Sequence, residues 1–224
     1  MTLTGSIINL TVHGIGDTDR PLDPGEDTTW VSVAQFERVL DAVVDRKDVR
    51  ITFDDGNASD VRIALPRLLE RGLRGEFFVL AGLIGEPGRV TAGGVTELVR
   101  AGMRVGSHGW AHRDWRRLDG GQVREELSDA HRTIGELCGH PVTRVAIPFG
   151  SYDRHVLGRL RKAGVTCAYT SDGGRSAPGS WLQARNSLRH DLDEGWVRQV
   201  LDGTPPLARR ARKAAARLYK RARG

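Results

Sequence analysis

Three joints along this chain read alike. Glu70-Arg71-Gly72-Leu73, Arg100-Ala101-Gly102-Met103 and Lys162-Ala163-Gly164-Val165 each pass from a helical pattern through a glycine into an apolar run. A glycine at that point suits the left-handed residue that closes a helix. Apolar, strand-like runs at 7–12, 49–53, 75–80, 103–106, 143–147 and 165–170 alternate with helical patterns. Repeated strand, helix, strand units predict a parallel sheet with right-handed crossovers, either an open doubly wound sheet or a barrel. Periodicity does not choose between the two. In both, ligands gather at the carboxyl ends of the strands.

The helical patterns carry their own boundary signals. Ser32 and Gln35 form a capping box before a helix over about 32–46, with Phe36, Val39, Leu40, Val43 and Val44 on one face. Val123, Leu127, Ala130, Ile134 and Leu137 alternate at four and three through a helix over roughly 121–138 that stops at Gly139. Pro66 interrupts the 61–71 pattern, so that helix is expected to begin close to it.

A length of 224 residues with 39% hydrophobic content suits one domain with a proper core. Met1 to Ser6 lack the basic and apolar regions of a secretory signal, which predicts a cytoplasmic chain. Cys138 and Cys167 have no metal-site or redox spacing and are expected as buried free thiols. The net charge of +6 belongs to one end: residues 205–224 carry eight cations and no acid, leaving about −2 for the rest. That distribution argues against a nucleic-acid groove across the body, and no specific nucleic acid is expected. The division predicted is therefore a domain over 1–204 and a basic helix or tail over 205–224. Leu207, Ala211, Ala214, Leu218 and Ala222 form a narrow apolar stripe in that tail, a pattern suited to an anionic membrane surface. Peripheral contact at the inner membrane surface is the expectation, with a solvated helix end or unspecific attraction to nucleic acid as alternatives. A truncation after Thr204 is expected to stay folded.

The chemistry concentrates in two segments. Thr52-Phe53-Asp54-Asp55-Gly56 closes a β-branched run on two adjacent carboxylates, and Ser107-His108-Gly109-Trp110-Ala111-His112 follows another strand-like run. One carboxylate and two imidazoles can hold a divalent cation, zinc foremost, and leave positions open for water and substrate. The second carboxylate is then a candidate base. His13 and Pro148-Phe149 also close strand-like runs, so four distant segments converge on one rim.

These segments resemble the NodB-like polysaccharide deacetylases, carbohydrate esterases of family four. Thr52 to Gly56 and the His108, His112 pair are similar to the first two motifs of that family, and Ala146-Ile147-Pro148-Phe149-Gly150 matches a third in part. The resemblance spans residues 7–190. It implies a single-domain, distorted (β/α) barrel of seven or eight parallel strands and a metal-dependent hydrolase that removes acetyl groups from sugars. It implies further that Asp55, His108 and His112 hold the metal, that Asp54 is the general base, and that a backbone N–H near Phe149 helps hold the oxyanion. Pro148, Phe149, Gly150, Tyr152, Trp110 and Arg185 are the candidate substrate-binding residues.

Departures from the family pattern sharpen the expectations. Ala146 stands where the family has an arginine that orients the base, and Arg185 is a candidate replacement. Gly109 stands where the family often has Ser or Thr, so a supporting hydroxyl is missing. The general acid is His13 or His190; His13 is preferred because a strand-end residue is better fixed. The substrate expected is an amino sugar of a polysaccharide, or of a lipid- or nucleotide-linked precursor. An O-acetyl esterase, a deacylase of non-sugar amides and a catalytically silent sugar-binding module remain alternatives.

Overall fold

The structure is a computed structural model that describes residues 5–18, 20–203 and 207–223. In chain order the strands are β1 (Ile8–Val12), β2 (Gly14–Ile15), β3 (Trp30–Val31), β4 (Val49–Phe53), β5 (Gly75–Val79), β6 (Arg104–Ser107), β7 (Arg144–Ala146), β8 (Cys167–Thr170) and β9 (Leu182–Ser187). The helices are α1 (Val33–Val43), α2 (Leu65–Glu70), α3 (Ala92–Arg100), α4 (Gly120–Val123), α5 (Ala130–Cys138), α6 (Arg154–Lys162), α7 (Glu194–Leu201) and α8 (Leu207–Ala222). Seven strands close a parallel barrel in the order β1-β4-β5-β6-β7-β8-β9, sealed by pairing of β1 with β9. Between the open sheet and the barrel, the chain takes the barrel.

The local expectations hold where the pattern was strong. Ser32 and Gln35 make both bonds of the capping box on α1. Gly72, Gly102 and Gly164 all adopt positive φ at the three helix-to-strand joints. Pro66 lies in the first turn of α2, and a wider π-helical turn at Asp60–Ala64 precedes it. A second π-helical turn, Arg124–Asp129, joins α4 to α5 inside the predicted long helix. Both cysteines are buried and free. Among the described residues, no helix is long and apolar enough to cross a membrane.

Alternation along the strands separates two cores. Ile8, Leu10, Val12, Ile51, Phe53, Phe77 and Val79 pack outward against Phe36, Val39 and Leu40 of α1 and Leu68 of α2. Phe53 stacks on Phe77 at 4.3 Å between ring centroids, an arrangement worth about 1 kcal/mol beyond its area. The barrel interior is polar instead. Asn9 donates to Gln183 Oε1 at 3.2 Å, Thr11 and Thr52 share a hydrogen bond of 3.1 Å, and Arg144 pairs with Glu76, which also accepts from the Tyr169 hydroxyl at 2.9 Å. Such groups are tolerated because each finds a partner.

That interior explains the strand the periodicity misses. Leu182 to Ser187 has no apolar run, because Gln183 and Arg185 turn into a polar barrel rather than an oily one. The tail also differs from a free extension: α8 lies against α6, and Lys220 donates to Asp172 Oδ1 at 2.6 Å and to the Gly150 carbonyl at 3.3 Å.

Candidate metal centre

Asp54 and Asp55 follow β4, and His13 follows its neighbour β1; the Asp54 N–H donates to the Val12 carbonyl at 2.9 Å, fixing the two strand ends side by side. His108 follows β6 and is 2% exposed. Its Nδ1 lies 2.8 Å from the Ala146 carbonyl oxygen. A carbonyl can only accept, so Nδ1 carries the ring hydrogen and Nε2 presents its lone pair. That lone pair lies 3.4 Å from Asp55 Oδ1, and His112 Nε2 lies 3.7 Å from the same oxygen.

These residues fit a divalent ion. The donor atoms of Asp55, His108 and His112 lie within 4.8 Å of one another. Asp55 Oδ1 is buried without a hydrogen-bond partner, the state expected of a ligand atom rather than of a structural carboxylate. Burial, and then the neighbouring His108, pushes the His112 imidazole down to about 4, so it is neutral and able to bind a cation near pH 7. Burial and then the charges of Asp55 and Asp54 hold the buried Asp60 well above the usual carboxylate range, which places a neutral group behind the pair.

Backbone conformation marks the same place. Among the described residues, the non-glycine residues at positive φ are Asp55 (72°), His112 (55°) and Phe149 (58°). Left-handed conformations cost such residues on the order of 1–2 kcal/mol and persist where surrounding structure enforces them. The His112 and Phe149 rings stand 4.3 Å apart between centroids, so the three outliers meet on one rim.

Arg185 answers the missing arginine. Ala146 on β7 is buried and offers only its carbonyl. From β9, Arg185 reaches Asp54 with both terminal nitrogens, Nη1 to Oδ1 at 2.6 Å and Nη2 to Oδ2 at 2.5 Å, while its guanidinium lies 5.6 Å from the centroids of both Phe78 and Tyr169. Burial alone would raise the Asp54 carboxyl, but Arg185 and His108 outweigh it and hold the group well below the usual carboxylate range. Arg185 is thus engaged with the carboxylate and 3% exposed, rather than open to a ligand.

The glycine after the first histidine also has a reason. Gly109 has a φ of 93°, and a Cβ there would collide with the carboxylate of Glu126. Glu126 is completely buried and accepts from the N–H groups of Trp110 (2.9 Å) and Ala111 (3.1 Å) and from the Trp115 indole (3.1 Å). It pins the loop between the two histidines. Its signal in the sequence is a glutamate three residues after Val123 and four before Ala130, on the apolar face of the helix.

The remaining candidates divide. Phe149 is 64% exposed at the rim, between the buried Pro148 and Gly150. Tyr152 is buried with its hydroxyl donating to Asp172 at 2.7 Å, so it supports that turn from beneath and does not line the site. Trp110 is half-buried over Gly82, and Trp115 is fully buried. His13 is close enough to bear on the charge of Asp54, and its Nδ1 is buried without a partner. His190 is exposed, with Nδ1 3.1 Å from the Thr28 carbonyl, and is not brought to the carboxylates. A cleft of about 480 Å³ opens between Gly16, Trp30 and the Asn57 to Ile63 segment, and none of Asp54, Asp55, His108 and His112 lines it.

A barrel bearing a carboxylate pair and two imidazoles at its strand ends offers a candidate metal centre, and comparison with known proteins identifies the family. Residues 41–168 match the polysaccharide deacetylase family, and the chain belongs to that family. It is 25% identical over 167 residues to a Bacillus subtilis protein named as a polysaccharide deacetylase, YxkH, covering 75% of this chain and 60% of that one. It is 24% identical over 186 residues to the chitooligosaccharide deacetylase of a Bradyrhizobium species, covering 80% and 81%. The fold is that of the Streptococcus pyogenes deacetylase PplD, with a TM-score of 0.77, 19% identity, and coverage of 88% of this chain and 99% of that one.

Proposed function

We propose that this chain is a divalent-metal-dependent hydrolase that removes an acyl group, N-acetyl foremost, from an amino sugar of a polysaccharide or of a lipid- or nucleotide-linked precursor. The observation that carries the reading is the meeting of Asp55, His108 and His112 around one unpartnered carboxylate oxygen, with an ionised Asp54 beside them. The name of the rhizobial relative supports an N-acetylated amino sugar as substrate.

Asp55, His108 and His112 would hold the ion, zinc foremost by donor type. When bound, such an ion supplies Lewis-acid polarisation of the acyl carbonyl. Asp54 takes a proton from the attacking water, and Arg185 keeps it anionic and oriented for that purpose. The backbone at Phe149 offers an N–H to the developing oxyanion, and the Phe149 ring forms one wall against His112. His13, on the strand beside Asp54, is placed to give a proton to the departing amine.

The test pairs metal analysis of the purified protein with acetate release from chito-oligomers and amino-sugar precursors. Asp54→Asn should still fold, at a cost in stability because the buried Arg185 loses its counter-charge, and should keep its metal and lose turnover, since the amide keeps the shape but cannot take the proton. Wild-type turnover in that variant removes Asp54 from the mechanism. A wild-type protein that binds sugar without releasing acetate would be a binding module of this fold.

A further inference from the structure

A second charged feature lies outside the metal centre. On the barrel flank, α6, the segment before β9 and α8 enclose a cleft of about 300 Å³ lined by Arg154, Arg161, Arg221, Ser180 and Trp181. The Arg161 guanidinium lies 4.3 Å from the centroid of the Trp181 ring, which fixes one wall. Among the described residues, no carboxylate lines the cleft. The segments 154–164, 173–188 and 207–223 that meet around it contain no Asp or Glu at all. The acids that border these segments in sequence are engaged elsewhere: Asp153 accepts from the Val156 N–H as the cap of α6, and Asp172 holds Lys220 and Tyr152.

The orientation of α8 adds an apolar edge to this basic flank. The helix docks through Arg217, which donates to the Gly173 carbonyl, and through Lys220. At 3.6 residues per turn, that places Leu207, Ala211, Ala214, Leu218 and Ala222 on the side turned away from the protein. Leu207 is 79% exposed, Leu218 64% and Tyr219 66%. Arg212 and Arg221, both exposed, flank this stripe. An amphipathic helix would ordinarily bury its apolar side; this one is held by its cations and shows its apolar side to the surroundings.

We propose that this flank seats on an anionic phospholipid surface, with a headgroup phosphate in the Arg154, Arg161, Arg221 cleft and the α8 stripe at the acyl boundary. Guanidinium groups match phosphate oxygens in a fork, and three without a counter-charge leave the cleft complementary to that group. The exposed leucines and tyrosine distinguish a lipid surface from a soluble anion, which would use the cations alone. This inference stands apart from the acyl chemistry and does not depend on it.

The experiment is co-sedimentation of the full chain with vesicles of phosphatidylcholine alone and of phosphatidylcholine with phosphatidylglycerol, at low and high salt. Wild type should bind only the anionic vesicles, and binding should weaken with salt. The variant Arg154→Ala/Arg161→Ala/Arg221→Ala should lose on the order of a hundred-fold in partitioning, given the usual contribution of each cation near such a surface. Leu218→Glu, at an exposed position that cannot disturb the core, should lose binding with an unchanged melting temperature. Equal partitioning of wild type and the triple variant overturns the proposal. So does wild-type partitioning by Leu218→Glu, or binding of pyrophosphate or a DNA duplex by a protein that ignores anionic vesicles.

Discussion

Replacing Arg185 by Met isolates the electrostatic work inside the barrel. Methionine keeps much of the aliphatic volume between Phe78 and Tyr169 but leaves Asp54, 2% exposed, without its two charge-assisted bonds. Removing one member of a buried pair costs about 3–5 kcal/mol, because the remaining charge is stranded in a low dielectric. The pH dependence follows from the signs. In the wild type the folded Asp54 titrates below its ordinary value of 3.8, so its contribution is present above that pH and lost as pH falls. In Arg185→Met, burial dominates and the carboxyl rises above that value, so stability is least at neutral pH and recovers as pH falls. The two proteins should therefore show opposite slopes just above pH 4 in urea unfolding of the metal-free form. Adding Asp54→Asn to Arg185→Met should restore part of the loss, since a neutral amide needs no counter-ion. A loss below about 1 kcal/mol with parallel pH profiles would refute the reasoning, because an exposed or weakly coupled pair behaves that way.

Three further outcomes are expected. His108→Ala and His112→Ala should each lose stoichiometric divalent metal; in wild type, metal measured after rapid desalting should persist at neutral pH and be lost at acid pH, where protons compete for the ligand atoms. His13→Ala should lower turnover on the order of a hundred-fold, as loss of a general acid does, with His190→Ala near wild type; equal effects would contradict the placement of His13 beside Asp54. Lys220→Met should lower turnover by roughly tenfold at unchanged metal content, because the Gly150 carbonyl and Asp172 lose their tie and the Phe149 turn loosens. Lys220→Arg should recover part of that loss, and full activity in Lys220→Met would show the tie to be idle.

The legible parts of this chain were those where local chemistry and global fold agree. Glycines 72, 102 and 164, the Ser32 cap and the apolar strands 49–53 and 75–79 each state their conformation within a few residues. The convergence of Asp55, His108 and His112 was legible because each closes or follows an apolar strand-like run, and parallel strands bring such ends to one rim. What escaped was set by tertiary context. Strand β9 reads as irregular because its polar residues enter a polar barrel, and the helix periodicity alone does not show that Glu126, on the apolar face, is buried to hold the Trp110, Ala111 and Trp115 N–H groups. Tyr152 reads as a ligand-facing aromatic after a turn, yet the Asp172 carboxylate draws its hydroxyl inward. The docking of α8 by its cationic side reverses what amphipathicity alone implies.

Closure of the barrel between its first and last strands decides what counts as the active unit. Thr11 lies beside Ser187 in register, so the two ends of the polypeptide supply neighbouring staves. The stretch that identifies the family, residues 41–168, holds both carboxylates and both imidazoles, yet it omits His13 and Arg185. A fragment cut to that stretch would keep Asp54, Asp55, His108 and His112 and lose the counter-ion of Asp54. For a closed sheet, the shortest recognisable sequence and the shortest competent molecule are different objects. An alignment confined to residues 41–168 would find no cation for Asp54, although Arg185 supplies one from the last stave.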